Sequence, residues 1–386
     1  MFLIWWFVAI VALGAVILWM TPETTDKTLI RLNSAGRFIR DVRSRIARAA
    51  LWPIGWPHLV DVAWGAGGPQ ELTPSDLVWQ QGPATLIRYR GAAAHAEPVL
   101  VVHSLVTKPW ILDLTPGRSL VKMLVDNGFD VYLLDWGDPG PTEATMGMAQ
   151  CEDLVREAEA AVLEKSNAKR LHEVGYCMSA TLLLQALAHD NAKHVGSLAV
   201  IAPPVDFAAP NGFSRLLRHR AWRPVLALDG DGLVPPSFVR EAFHLLRPMA
   251  IKSMRLRRAR RDDTEYCGFY AAMARWAWTH RHLPGATFFD VVDLFRINPF
   301  IPADGRPSPL ASIRVPVFAA IAERDHIVPS AASQALESID GLDVRMLNVP
   351  SGHVSMVVGS AGREVFWPAL VEFLSEQQPP RHRTKR

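Results

Sequence analysis

Along the middle of the chain, short apolar runs alternate with stretches of helical periodicity. Residues 99–103 read as a strand, 119–127 as a helix and 130–136 as a strand. A long helix over 151–165 follows, then a strand at 173–176, a helix at 180–189 and a strand at 198–201. Fully apolar runs between helical segments predict a mostly parallel sheet with helices on both faces. The rhythm stops near Pro203, and residues 205–307 are aromatic, basic and mostly helix-like. It resumes with strand-like runs at 315–321 and 344–349 and helical runs at 331–339 and 364–374. The pattern predicts one α/β domain interrupted by an inserted helical cap. Its parts are a core at 61–204, the cap at 205–307, a second core segment at 308–376 and a polar tail at 377–386.

The start of the chain follows a different rule. Residues 1–20 carry no charged side chain, with Trp5, Trp6 and Trp19 near the ends. Twenty residues of helix span roughly 30 Å, a bilayer core, so a transmembrane anchor is expected. No basic residue precedes the apolar run, which argues against a cleaved signal peptide. Lys27, Arg31, Arg37, Arg40, Arg43, Arg45 and Arg48 follow it. The expectation is therefore a single-pass protein of the inner membrane with its body in the cytoplasm. Residues 21–60 form a basic linker, amphipathic between 29 and 51. It suits either an anionic membrane surface or a solvated helix packed on the body.

The 386 residues are 49% hydrophobic and 20% charged, an ordinary globular composition that excludes wholesale disorder and collagen. A net charge of +3 gives no footprint for nucleic acid. The three cysteines, Cys151, Cys177 and Cys267, are too few and odd in number for a disulfide framework. No metal-ligand spacing, phosphate-binding loop or dinucleotide fingerprint occurs, so neither metal nor bound cofactor is expected.

Candidate chemistry begins at Val174-Gly175-Tyr176-Cys177-Met178-Ser179-Ala180, between a predicted strand and a predicted helix. A nucleophile elbow needs small residues two before and two after the nucleophile, here Gly175 and Ser179. The bend puts Cys177 at a helix N-terminus, where the dipole favours a thiolate. The Met178 N–H is one candidate oxyanion donor, and the Leu105 and Val106 loop after the first core strand is a source of another. A lone cysteine is otherwise a buried structural residue. Asp325 and His353, however, each follow a later strand, in the order nucleophile, acid, histidine. That order is the one found in α/β-hydrolase folds. His103 precedes the nucleophile and ranks below His353 as a base. Asp135 and Asp206 read as structural groups at strand ends.

Further motifs carry a resemblance. They are His103-Ser104-Leu105-Val106, Lys108-Pro109-Trp110-Ile111-Leu112-Asp113-Leu114, Ser119-Leu120-Val121 and Val131-Tyr132-Leu133-Leu134-Asp135-Trp136-Gly137. The Cys177 elbow, Pro203-Pro204-Val205-Asp206-Phe207, Asp325-His326-Ile327-Val328-Pro329, Gly352-His353 and the pair Arg275 and Trp276 complete the set. From about 98 to 374 the chain resembles the polyhydroxyalkanoate synthase family, most of all its short class III catalytic subunit. The resemblance implies an acyltransferase that polymerises 3-hydroxyacyl-coenzyme A thioesters into polyester. It implies Cys177 as the acyl-carrying nucleophile, His353 as its base and Asp325 as the partner carboxylate. Asp325 would orient His353 or help activate the hydroxyl that lengthens the chain. The resemblance also implies homodimers and an accessory subunit.

Two departures stand out. The family pattern after the nucleophile is x-Gly-Gly, whereas here Ser179 and Ala180 follow Met178. The family is also generally soluble and granule-associated, so an anchor would be an addition. A thioesterase or depolymerase on the same fold, or a non-catalytic membrane scaffold for polymer granules, are the competing readings. The basic run Lys252, Arg255, Arg257, Arg258, Arg260 and Arg261 suits either coenzyme A phosphates and anionic lipid or a solvated helix face.

Overall fold

Eight strands pair into one sheet, in a computed structural model that describes residues 72–219, 222–246 and 264–379. They are β1 (Ser75–Gln81), β2 (Ala84–Tyr89), β3 (Val99–Val102), β4 (Val131–Asp135), β5 (Leu171–Tyr176), β6 (Val195–Ile201), β7 (Val317–Ala322) and β8 (Val344–Val349). Their order is β1-β2-β4-β3-β5-β6-β7-β8. From β4 to β8 every neighbouring pair is parallel, while β1 and β2 add an antiparallel edge.

The sheet is covered on both faces because successive residues of each central strand point to opposite sides. Leu100 and Val102 of β3 and Tyr132 and Leu134 of β4 enter one core. Helices α2 (Met148–Ser166) and α3 (Met178–Asp190) close it with Cys151, Val155, Leu183 and Leu187. Val99, Val101, Val131 and Leu133 enter the other core. Helices α1 (Leu120–Asp126) and α8 (Trp367–Glu376) close that side with Leu124, Leu370 and Phe373. Burial on both faces is why these strands read as unbroken apolar runs.

Between β6 and β7 the chain leaves the sheet. It forms α4 (Gly212–Arg218), α5 (Pro236–Leu246), α6 (Thr264–Trp278) and α7 (Gly285–Ile297). One short stretch, Trp276 to His282, fastens this segment to the loops after β3 and β4. Trp276 Nε1 donates to the Lys108 carbonyl at 2.8 Å, and His280 bridges Thr107. Arg281 reaches Asp135 at 2.7 Å, and the His282 amide donates to Asp138 at 2.9 Å.

The edge pair β1 and β2 was not expected from the pattern of apolar positions. β1 is half-exposed, so its apolar positions are interrupted by Gln80 and Gln81. The turn at Gly82, with φ of 54°, is the local signal of the hairpin.

Among the described residues no helix is long and apolar enough to cross a membrane. The 19-residue α2 has the length, but it carries Glu152, Asp153, Arg156 and Glu157. This overturns the inner-membrane location with a cytoplasmic body that the sequence suggested. The expected span at 1–20 and linker at 21–60 themselves lie outside the described residues.

Candidate active site

Strand β5 delivers Cys177 to the sheet edge, and α3 begins at the next residue. The Cys177 amide still donates to the Ile201 carbonyl at 2.9 Å, as if the strand continued. Its own carbonyl already accepts from Ala180 at 3.0 Å, as a helix start does. Serving both elements forces φ to +58° and ψ to −128°, a strained conformation for a residue with a side chain. The neighbours make room. A Cβ on Gly175 would lie 2.6 Å from the Ala180 Cα, so only glycine fits there.

Ser179 does more than fit. Its buried hydroxyl donates to the His103 carbonyl at 2.6 Å, and Trp136 Nε1 donates to the same oxygen at 2.8 Å. The elbow is thereby tied to the end of β3, where Leu105 and Val106 lie. Met178, at the first turn of α3, lines one cavity with Cys177, Leu105 and Val106.

Asp325 follows β7 and is fixed from two directions. Its Oδ1 accepts from the amides of Ile327 at 2.8 Å and Val328 at 2.9 Å. Its Oδ2 meets His353 Nδ1 at 2.6 Å. His353, on the loop after β8, is buried, and the Cys177 sulfur is among the groups that act on its ring. With Nδ1 held by Asp325, Nε2 is the ring nitrogen left to exchange a proton with the sulfur. Burial alone would depress the His353 pKa. The Asp325 carboxylate and the Cys177 sulfur outweigh it and lift the value to about 10.

Sequence reasoning passed over two residues around this trio. Tyr176 lies against His353, ring centroids 5.1 Å apart, and its hydroxyl donates to the His353 carbonyl at 3.3 Å. Burial, reinforced by Cys177 and Asp325, holds that hydroxyl well above the ordinary tyrosine pKa, so it stays protonated. The sequence places Tyr176 only at the end of a strand, before the nucleophile. Arg281 is 1% exposed and pairs with Asp135, while its Nε and Nη1 have no hydrogen-bond partner among the described residues. No sequence pattern separates it from the other arginines of the segment.

The remaining residues sort by their surroundings. His103 is fully buried and hydrogen-bonds Thr107 Oγ1 at 2.9 Å. Burial, then the charges of Arg281 and His353, push its pKa well below the usual histidine value, which keeps the ring neutral. Asp135 accepts from the Gly137 amide as well as from Arg281, and Asp206 accepts from Ala208 and Asn298. Cys151 is buried against Thr287, and burial pushes its thiol up to about 12. The basic run at 252–261 and the Cys267 side chain lie outside the described residues. No cluster of metal-ligating side chains occurs among the described residues.

Above Cys177 lies a cavity of about 420 Å³. It reaches from Met178 to the aromatic rings of Trp222, Phe238 and Phe288 in the segment between β6 and β7. A thiol, an imidazole and a carboxylate gathered beside a helix N-terminus and beneath an apolar cavity can form and resolve a covalent acyl intermediate.

A family model for the alpha/beta hydrolase fold matches residues 97–368. The poly(3-hydroxyalkanoate) polymerase subunit PhaC of Haloferax mediterranei is 26% identical over 325 residues, covering 79% of this chain. The chain spans 64% of that protein's length. The subunit of the same name from Synechocystis sp. is 27% identical over 330 residues, covering 80% of this chain and 85% of its own. In fold, the crystal structure of a lipase candidate from Sulfolobus solfataricus superposes with a TM-score of 0.51 at 14% identity. It covers 78% of this chain and 92% of its own.

Proposed function

We propose that this chain, which belongs to the α/β-hydrolase fold family, is an acyltransferase that polymerises 3-hydroxyacyl-coenzyme A thioesters into poly(3-hydroxyalkanoate). The observation that carries the reading is a cysteine at the elbow whose sulfur acts on an imidazole that Asp325 holds at 2.6 Å. It does so in a chain whose curated relatives are named as polymerase subunits.

The chemistry explains why sulfur occupies the elbow. A coenzyme A thioester passes its acyl group to a thiol at nearly equal energy, because one thioester replaces another. A serine would fall into the more stable oxyester. In the first half-reaction the proton of Cys177 Sγ already sits on the His353 imidazole, and the thiolate attacks the thioester carbonyl. The Met178 N–H and an amide of the Leu105–Val106 loop hold the developing oxyanion. The carbon–sulfur bond to coenzyme A breaks, and His353 returns its proton to the departing thiolate.

In the second half-reaction the 3-hydroxyl of an acyl unit attacks an acyl thioester. Its proton passes to the imidazole, an ester bond forms and a thiol is released. Asp325 fixes the imidazole through Nδ1 in both halves. The segment at 205–307 serves as a cap that keeps water from the acyl-cysteine, which favours chain growth over hydrolysis. Assembly as a homodimer with an accessory subunit belongs to the same reading, and light scattering with and without such a subunit tests it.

The decisive experiment incubates the purified chain with 3-hydroxyacyl-coenzyme A. Free coenzyme A together with polymer is the expected product, and Cys177→Ala should abolish both. Free 3-hydroxy acid without polymer identifies a hydrolase instead. Retention of activity in the Cys177→Ala variant removes the sulfur from the reaction.

A further inference from the structure

We infer that Asp206 recognises the 3-hydroxyl of the acyl group that loads onto Cys177, and so sets the preference for hydroxylated over plain acyl thioesters. The inference rests on the acyltransferase reading above and assigns the recognition within it to one residue. Its first support is the cavity wall. Asp206 is the one acidic or basic side chain among the described residues that line the cavity with Cys177. Away from it the wall is aliphatic and aromatic, apart from Asn211, whose Oδ1 already accepts from the Ser214 amide at 2.5 Å. A hydroxyl carried into such a space needs an acceptor, because burying it without one is costly.

The second support is the division of labour between the two carboxyl oxygens. Oδ1 accepts from the Ala208 amide at 2.8 Å and from Asn298 Nδ2 at 2.9 Å. Oδ2 has no hydrogen-bond partner among the described residues, and it is not sealed in as Nε and Nη1 of Arg281 are. One oxygen holds the group in place, and the other is left open in a residue that lines the cavity.

The third support is how firmly the loop at 203–207 is set. Thr181 Oγ1, in the opening turn of α3, donates to the Pro204 carbonyl at 2.7 Å, so the loop is tied to the helix that begins at the nucleophile. Ser333 Oγ donates to the Pro203 carbonyl at 2.7 Å, and the Asp206 amide donates to the Ala332 carbonyl at 2.9 Å. The Phe207 amide donates to Asn298 Oδ1 at 2.8 Å, from the residue that also clasps Asp206. The carboxyl is therefore placed relative to the sulfur before any substrate arrives, as a recognition group must be.

The test measures, by intact-protein mass spectrometry of the full chain, the initial rates at which 3-hydroxybutyryl- and butyryl-coenzyme A acylate Cys177. The two thioesters differ by one hydroxyl. The expected preference for the hydroxylated one is at least about tenfold, the worth of a hydrogen bond to a carboxylate. Asp206→Asn keeps an oxygen for Ala208 and Asn298 and puts an amide nitrogen where the open oxygen was. It should lower the ratio about tenfold and leave the butyryl rate within about twofold. Should that variant fail to fold, Asp206→Ser removes the same oxygen with less bulk, and the same fall is expected. Equal rates for the two thioesters, or a ratio that the variant leaves intact, overturn the inference and leave the polymerase reading standing. If neither thioester acylates Cys177, the acyltransferase reading fails. Protection of the cysteine from alkylation by 3-hydroxybutyramide and by butyramide then reads Asp206 directly. Better protection by the hydroxylated amide, lost in Asp206→Asn, supports the assignment, and equal protection overturns it.

Discussion

The hydroxyl of Ser179 and the carbonyl of His103, 2.6 Å apart, join the nucleophile bend to the loop that faces it across the cavity. The same carbonyl also receives the Trp136 indole N–H. A glycine at 179 would leave the bend free to close but would lose this tie. Ser179→Ala should therefore destabilise the fold by about 1 kcal/mol, the net worth of one buried hydrogen bond. It should lower kcat for coenzyme A release several-fold with little change in KM, because the loop that faces the elbow loses its anchor. Thermal denaturation and steady-state kinetics check both. Unchanged stability and unchanged kcat would show that the tie has no role.

Protonation of His353 sets a direction for pH dependence. In the folded chain its imidazole keeps its proton up to about pH 10, against an ordinary value of 6.5. Between these values the folded state binds more protons than the unfolded state, so stability falls as pH rises. The contribution is complete below about 6.5 and gone above about 10. Asp325→Asn removes the carboxylate responsible and should flatten this part of the curve, while also slowing acyl transfer strongly. Urea denaturation from pH 6 to 10 checks it; an identical slope in the variant would exclude the pair as its source.

Glu173 predicts a second pH effect from a different place. It is 1% exposed in the middle of β5. Burial first, and then the neighbouring Glu159, push its carboxyl well above the ordinary value of 4.5, so it stays protonated in the fold. Above pH 4.5 the unfolded chain gives up that proton and the folded chain does not, so stability declines as pH rises. Glu173→Gln mimics the neutral acid and should stabilise the chain more at pH 9 than at pH 5. A loss of stability at pH 9 would show that the carboxyl is ionised in the fold.

Arg281 is buried with one ion pair, and its Nε and Nη1 have no hydrogen-bond partner among the described residues. Methionine keeps much of its length and removes the charge, but it leaves Asp135 without its partner. Removal of one member of a buried pair costs about 3 kcal/mol. Asp135 is 23% exposed and keeps the Gly137 amide, so the loss should fall at or below that figure. Arg281→Met should also raise the pKa of His103, which loses a neighbouring positive charge. Chemical denaturation and the NMR titration of His103 check the two effects; an unshifted His103 would separate it electrically from Arg281.

Much of this arrangement was legible because each element states it locally. Cys177, Asp325 and His353 each follow an apolar strand. In a parallel sheet the ends of such strands meet along one edge, so chain order predicts proximity. The alternation of β3 and β4 between two cores was readable for the same reason. The hairpin of β1 and β2 was not, because a half-exposed edge strand mixes glutamines into its apolar positions. Helix limits shifted where prolines act. The helical run expected from 364 begins as a wider turn, Gly362–Phe366, and becomes α8 only at Trp367, with Pro368 in its first turn. The contact of Tyr176 with His353 and the burial of Arg281 depend on residues far apart in the chain, and no local pattern encodes them. Location was misjudged for a related reason: a stretch of apolar letters says that a segment avoids water, and little about the rest of the molecule.

The backbone angle at Cys177 has one more implication. A bend already imposed by the Ile201 carbonyl on one side and the Ala180 amide on the other has no slack to take up when a group is attached to the sulfur. The empty and the loaded forms therefore share one framework. Whatever adjusts as a chain lengthens does so overhead, in side chains such as Phe288, and leaves the reacting centre where it was.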